Sequence, residues 1–367
     1  MLTMFSPDTM SLLRHISINI FGASLIPCFL YVLCLLDLIT LFAFKISLLV
    51  CVILFVILPL IFKYSYAFQR KVVFLNFIRI PINADYEHPQ KYGLHGARNF
   101  YLKTDDGINL GVWQILPENL THINKKDDEF FTSILDDGQD IVVYYHGNGG
   151  CRLTDHRIEL YKVLRKYFHV IAFDYRDYGD SSNTVKPSEE GVINDAISVY
   201  QWVANRTSSH IFVWGHSLGT SISTYALARL AKSGYKKAAG LILEAPFNNF
   251  RDEISEFPLA KFFRPLPWFE YTIVNPVASN FEFATDKYIC HVNVPIMILH
   301  AADDKVVPFK LGYKLYKLIK QCPNRNSDII FHAFDGKFKY GHKFICQAPS
   351  LQEKIRDFIE LAINHKT

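Results

Sequence analysis

An α/β fold, a mainly parallel sheet flanked by helices, is what this sequence predicts, on three observations. From residue 141 onwards, short apolar runs alternate with amphipathic stretches of helical period, the pattern of strand–helix–strand units. Residues capable of nucleophilic and acid–base chemistry fall at the carboxyl ends of those runs, where sites gather in such sheets. The run 211–214 passes straight into Gly215-His216-Ser217-Leu218-Gly219, and a helix-prone stretch, 220–230, follows at once.

The elements follow in order. Residues 99–104 and 108–115 alternate as two strands, with Asp105-Asp106-Gly107 as the hairpin turn. The polar stretch 117–139 reads as an exposed loop, and 140–145 as a strand. A helix over 155–167, a strand over 169–173 and a helix over 188–205 come next, then strands at 239–243, 294–300 and 328–334 and a last helix over 351–363. One stretch, 248–291, breaks the alternation with dense aromatics (Phe250, Phe257, Phe262, Trp268 and Tyr271 among them) and four prolines. Its place before the strand at 294 is that of a cap. Its aromatics line an acyl-chain pocket or dip into the membrane interface, or they simply pack the cap against the core.

Strand, Gly-x-Ser-x-Gly and helix together make the nucleophile elbow of α/β-hydrolases. The turn is so tight that the residues flanking the serine must be nearly free of side chain, which leaves the Ser217 hydroxyl exposed at a helix N-terminus. A serine needs a base and an orienting acid, which this fold supplies in the order Ser, acid, His after later strands. Asp303 and Asp304 compete after the strand at 294–300, and the spacing Asp-x-x-Val-Pro favours Asp304. For the base, His332 lies inside a strand, His300 precedes the acid, His365 is in the tail and His216 is the variable elbow position, which leaves His342. The turn His146-Gly147-Asn148-Gly149-Gly150 follows the strand at 140–145, so the backbone N–H groups of Asn148 and Leu218 are the expected oxyanion donors. Arg152, His156 and Arg157, just beyond, are either contacts for a phosphate or carboxylate head group or solvated residues at a helix start.

The N-terminal region differs from the rest. Two apolar blocks, 16–44 and 46–62, are separated by Lys45, and together they predict a membrane anchor of one or two spans. The first block carries Asn19, Pro27 and Asp37, and a charge at the bilayer centre costs about 2.5–3.5 kcal/mol on insertion scales. A cleaved signal peptide fits poorly, because the apolar region is too long. The expected organisation is a tail (1–15), the anchor (16–64), a juxtamembrane connector (65–98) and a catalytic domain (99–367) with its cap insertion at about 248–291. Orientation is contested. Arg14 precedes the anchor while Lys63, Arg70, Lys71 and Arg79 follow it, which by the positive-inside rule faces the catalytic domain to the cytosol. Glycosylation acceptors at Asn119 and Asn205 argue for the lumen. The net charge of +4 is too small to argue for nucleic acid, and neither a phosphate-binding Gly-x-x-x-x-Gly-Lys loop nor a Cys-x-x-Cys pair is present. The seven cysteines reveal no disulfide connectivity.

From about residue 63 to the end, the chain resembles the membrane-anchored α/β-hydrolase domain-containing protein twelve family. The resemblance is carried by residues 74–81, 98–102, 111–113, 155–164, 214–220 and 300–309. It implies a serine lipase for monoacylglycerol and lysophosphatidylserine, facing the endoplasmic reticulum lumen or the cell exterior, with a triad on Ser217, Asp304 and His342. The chain departs from the family at Asp177, where members tend to have glycine, at Gly149-Gly150, and in the extra apolar block before Ile46. The expectation is therefore an integral-membrane lipase that cleaves single-chain lipid esters without metal or organic cofactor. Its partners are the lipid substrate and the membrane, and nothing in the sequence speaks to oligomeric state. A cytosol-facing protein acyl thioesterase and a catalytically silent scaffold are the rival readings.

Overall fold

A computed structural model describes residues 25–122, 127–258, 260–323 and 325–364. The tail 1–15 with Arg14, the start of the first apolar block with Asn19, and His365 lie outside these residues. The chain divides into two compact units. The smaller joins the N-terminal segment, up to Gln69, with Ile254–Glu282; the larger joins Arg70–Glu253 with Phe283–Thr367.

The larger unit is built on an eight-stranded sheet: β1 (Ala97–Lys103), β2 (Asn109–Ile115), β3 (Ile141–Tyr145), β4 (His169–Phe173), β5 (Ile211–His216), β6 (Gly240–Glu244), β7 (Ile296–Ala301) and β8 (Ile329–Phe334). Its order is β1-β2-β4-β3-β5-β6-β7-β8. The β1–β2 and β2–β4 pairs are antiparallel and every other pair is parallel. Strands β3 to β7 are buried along their whole length, as expected for a sheet covered on both faces. The α/β-hydrolase expectation is met, and the expected strands and helices shift by only a few residues. Ser188 caps the helix Glu189–Ala204 by accepting the Gly191 N–H.

The stretch expected as an exposed loop is more structured. A helix at Asp128–Ser133 buries Phe131, and the Gln114 side-chain amide donates to the Phe131 carbonyl at 2.6 Å. Burying one aromatic against β2 outweighs the polar composition of its surroundings. The helix Phe309–Ile319, unforeseen from the sequence, follows the acid loop. Cys290 and Cys322, for which no pairing was legible, form a disulfide.

In the smaller unit, Leu41–Tyr64 is a single apolar helix of 24 residues, about 36 Å at 1.5 Å per residue and long enough to cross a bilayer. It merges the end of the first apolar block with the second, and Lys45 and Lys63 are its only charges. Before it, Leu25–Leu35 is helical, and the chain bends at 36–39 with Asp37 in a left-handed conformation. The charge that weakened the first block as a span thus stands at a break between helices. Of the aromatic insertion, Ile254–Glu282 packs within this smaller unit.

Candidate active site

Ser217 follows β5 directly, with φ 52° and ψ −119°, a strained conformation for a side-chain-bearing residue. Its N–H donates to the Glu244 carbonyl at 2.9 Å, which ties the turn to β6. The flanking glycines are steric necessities. A Cβ on Gly219 would lie 2.0 Å from the Tyr145 carbonyl oxygen, and one on Gly215 would lie 2.6 Å from that of Gly219. The helix Leu218–Lys232 starts directly at the serine, so its positive end faces the hydroxyl.

The two aspartates after β7 separate by contact. Asp304 Oδ2 lies 2.8 Å from His342 Nδ1, and its Oδ1 accepts the N–H groups of Val306 and Val307 at 2.8 and 2.9 Å. Asp303 instead accepts the Gly341 N–H at 3.2 Å, next door to the histidine. Burial acts to raise the Asp304 pKa, but the His342 charge and hydrogen bonds from His300 and His342 outweigh it, holding the carboxyl well below the usual range. An ionised carboxylate only accepts, so His342 Nδ1 carries the proton and Nε2 is left as the basic nitrogen.

His216, set aside as the variable elbow position, has a positioning role the sequence did not reveal. Its Nε2 lies 2.9 Å from the His342 carbonyl oxygen, which makes that nitrogen the donor and pins the loop that carries the imidazole. Burial pushes the His216 pKa well down, so the ring stays neutral. The His-Gly turn after β3 closes in from the other side: a Cβ on Gly147 would lie 3.1 Å from Ser217 Cβ. The N–H groups of Asn148 and Leu218 donate to no protein group among the described residues. Strained serine, hydrogen-bonded Asp–His pair and available amides together have the chemistry of acyl transfer.

A family model described as the α/β hydrolase fold matches residues 140–280. Lysophosphatidylserine lipase ABHD12 of Danio rerio is 39% identical over 317 residues, 85% of this chain and 82% of the relative. The lipase of the same name from Mus musculus is 39% identical over 319 residues, 85% and 79% of the two chains. The chain belongs to the ABHD12 family. Protein ABHD12B of Homo sapiens, 35% identical, covers 78% of this chain and is itself covered to 79%. Among solved structures, the esterase Pf2001 of Pyrococcus furiosus shares the fold, with a TM-score of 0.56 at 18% identity over 78% of this chain and 96% of its own.

Within this ABHD12-family fold, three residues expected near a head group do not reach one. Arg152 is fully buried and donates to Asp174 at 2.5 Å, to Asp180 at 2.6 Å and to Asn99 at 2.7 Å. Arg157 is spent on the carbonyls of Cys151, Gly147 and Gly149, at 2.7, 3.3 and 2.9 Å. His156 is buried edge-on between His216 and Phe344, and burial holds it neutral. Of the three, Arg157 braces the turn that bears Asn148, through the Gly147 and Gly149 carbonyls. Both guanidiniums are buried with their terminal nitrogens turned onto protein acceptors, and His156 is buried beside them, so none of the three is a solvated helix-start residue.

The turn is also held from the front, by residues whose role the sequence left unread. The Phe74 carbonyl accepts the Gly149 N–H at 3.1 Å and the Tyr178 hydroxyl at 2.5 Å, while the Asn148 side chain donates to the Val73 carbonyl at 3.3 Å. These carbonyls are the unpaired end of the helix Tyr66–Phe74, which stops as Leu75 turns left-handed at φ 49°. Asn76 then donates to the Asp177 carboxylate at 2.6 Å. Asp177 itself has φ 63°, the conformation that the family's glycine would adopt without cost.

Proposed function

We propose that this chain is a membrane-anchored serine lipase that hydrolyses the acyl ester of single-chain lipids, lysophosphatidylserine foremost, with other lysophospholipids and monoacylglycerol as further substrates. The observation that carries the reading is the 2.8 Å contact between Asp304 and His342, set on loops of the same fold that strains Ser217. Ser217 Oγ attacks the acyl carbonyl while His342 Nε2 takes the hydroxyl proton, and Asp304 stabilises the imidazolium. The N–H groups of Asn148 and Leu218 hold the oxyanion, each contributing roughly 10²–10³ in rate. His342 returns the proton to the departing alkoxide, and the acyl group remains on Ser217. Water, deprotonated by His342, releases the fatty acid. The choice of lysophosphatidylserine rests on the printed function of the relatives.

The proposed location is the endoplasmic reticulum membrane, with the catalytic domain in the lumen. Exposed acceptors at Asn119 and Asn205 support it, as does the Cys290–Cys322 disulfide, since such bonds persist in oxidising compartments. The basic residues after the anchor favour a second reading, a cytosol-facing acyl thioesterase with the same chemistry.

Labelling by a fluorophosphonate probe tests the catalytic reading. The wild type takes up the probe and hydrolyses lysophosphatidylserine; Ser217→Ala does neither. Uptake that survives this substitution, or a wild type that turns over none of these esters, overturns the assignment.

A further inference from the structure

In the anchor helix, Pro59 has no N–H to offer the carbonyl four residues before it, that of Phe55, and the helix passes through a wider π-type turn at Ile53–Ile57. In a hydrocarbon environment an unsatisfied carbonyl is costly. The Trp268 indole supplies a donor: its Nε1–H reaches the Phe55 carbonyl at 2.8 Å. Phe263 meets the Phe55 ring edge-on at 6.4 Å, and Trp268 packs with a cluster that includes Leu266, Phe269 and Val274.

These contacts set depths along the helix. Phe55 lies nine residues before the helix end at Tyr64, about 14 Å along the axis, and half the hydrocarbon thickness is only about 15 Å. A residue bonded to the Phe55 carbonyl therefore lies below the headgroups if Leu41–Tyr64 spans the bilayer. A second marker lies higher: the Lys63 amine sits over the Tyr271 ring at 3.2 Å, and lysine with tyrosine is the pairing of the membrane–water interface. The helix end is closed there too, with the Gln69 side chain donating to the carbonyls of Phe62 and Lys63 at 2.9 and 3.0 Å.

We propose that Ile254–Glu282 is a re-entrant membrane element that dips into the bilayer beside the anchor helix, reaching the depth of Phe55 at Trp268 and returning past the interface at Tyr271. Both ends of the segment connect to the same larger unit. Its backbone is a series of short helices, which bilayers tolerate only against protein, and here the anchor helix supplies that surface. Phe262, 72% exposed, is the side chain offered to lipid. The charges fit a shallow element: Lys261 and Arg264 have the reach to snorkel, Arg264 is paired with Glu256 at 3.2 Å, and Glu270 adjoins the interfacial Tyr271. The occupant of this surface is the bilayer, continuous with that around the anchor.

Photo-crosslinking of the full-length chain in bilayers of phosphatidylcholine and phosphatidylserine tests this directly. Phe262→p-benzoylphenylalanine is expected to yield an acyl-chain adduct as abundant as the same substitution at the anchor residue Leu54, with none from the exposed Tyr101 of β1. An adduct from Leu54 but none from Phe262 overturns the re-entrant element. Failure at Leu54 as well overturns the membrane span on which it rests.

Discussion

Two opposing effects meet on the Glu244 carboxyl at the end of β6. Burial raises its pKa to about 7, against the hydrogen bond it accepts from the Trp214 indole at 2.9 Å, and nearby Asp304 adds to the rise. A carboxyl whose folded pKa is raised contributes stability fully below its unfolded value near 4.5 and loses it as pH climbs through about 7. The difference is on the order of 3 kcal/mol. Glu244→Gln keeps an acceptor for Trp214 and removes the titration, so its melting temperature changes much less between pH 5 and pH 8 than the wild type's. Parallel melting profiles for the two proteins would show that Glu244 is charged throughout. Asp304 has the opposite sign: its folded pKa is depressed, so it stays ionised well into acid and the stability it contributes is lost only as pH falls through that depressed value. At this scale the proposed triad was legible, because a strained turn and a Ser–acid–His order leave marks in the chain. The burial of Arg152 and Arg157 was not legible, because a charged residue near a turn looks the same in sequence whether it meets solvent or buried acceptors.

Elements that carry their own signal were equally legible. The apolar run, the two glycines and the amphipathic stretch around Ser217 impose strand, turn and helix locally, and they are found there. The short helix Asp128–Ser133 was not, since six residues nucleate no helix unaided and what holds this one is Gln114 on a distant strand. The end of the helix Tyr66–Phe74 is a similar case. Its carbonyls hold the turn that bears Asn148, so loosening them should move the proposed oxyanion donor. Tyr178→Phe in the full chain is expected to lower kcat by roughly ten- to a hundredfold with KM nearly unchanged, as for a displaced catalytic group. A kcat within experimental error of the wild type would mean the turn holds its shape without that hydroxyl.

For the whole molecule, the prediction concerns the side of the membrane proposed for the larger unit. Luminal placement predicts that digestion with an N-glycosidase shifts the native protein's mobility, and that the shift shrinks with Asn119→Gln or Asn205→Gln. A protein that migrates identically with and without the enzyme favours the cytosolic thioesterase. Composition, periodicity and one Gly-x-Ser-x-Gly motif were enough to read an apolar helix ahead of a parallel α/β sheet with a serine on a sharp turn, since each rests on residues adjacent in the chain. The strand order, the pairing of Cys290 with Cys322, the hold of His216 on the His342 carbonyl and the packing of Trp268 against the anchor became known from the folded chain. Each joins side chains far apart in sequence, and burial and hydrogen-bond geometry, which no local pattern encodes, select among the possible partners.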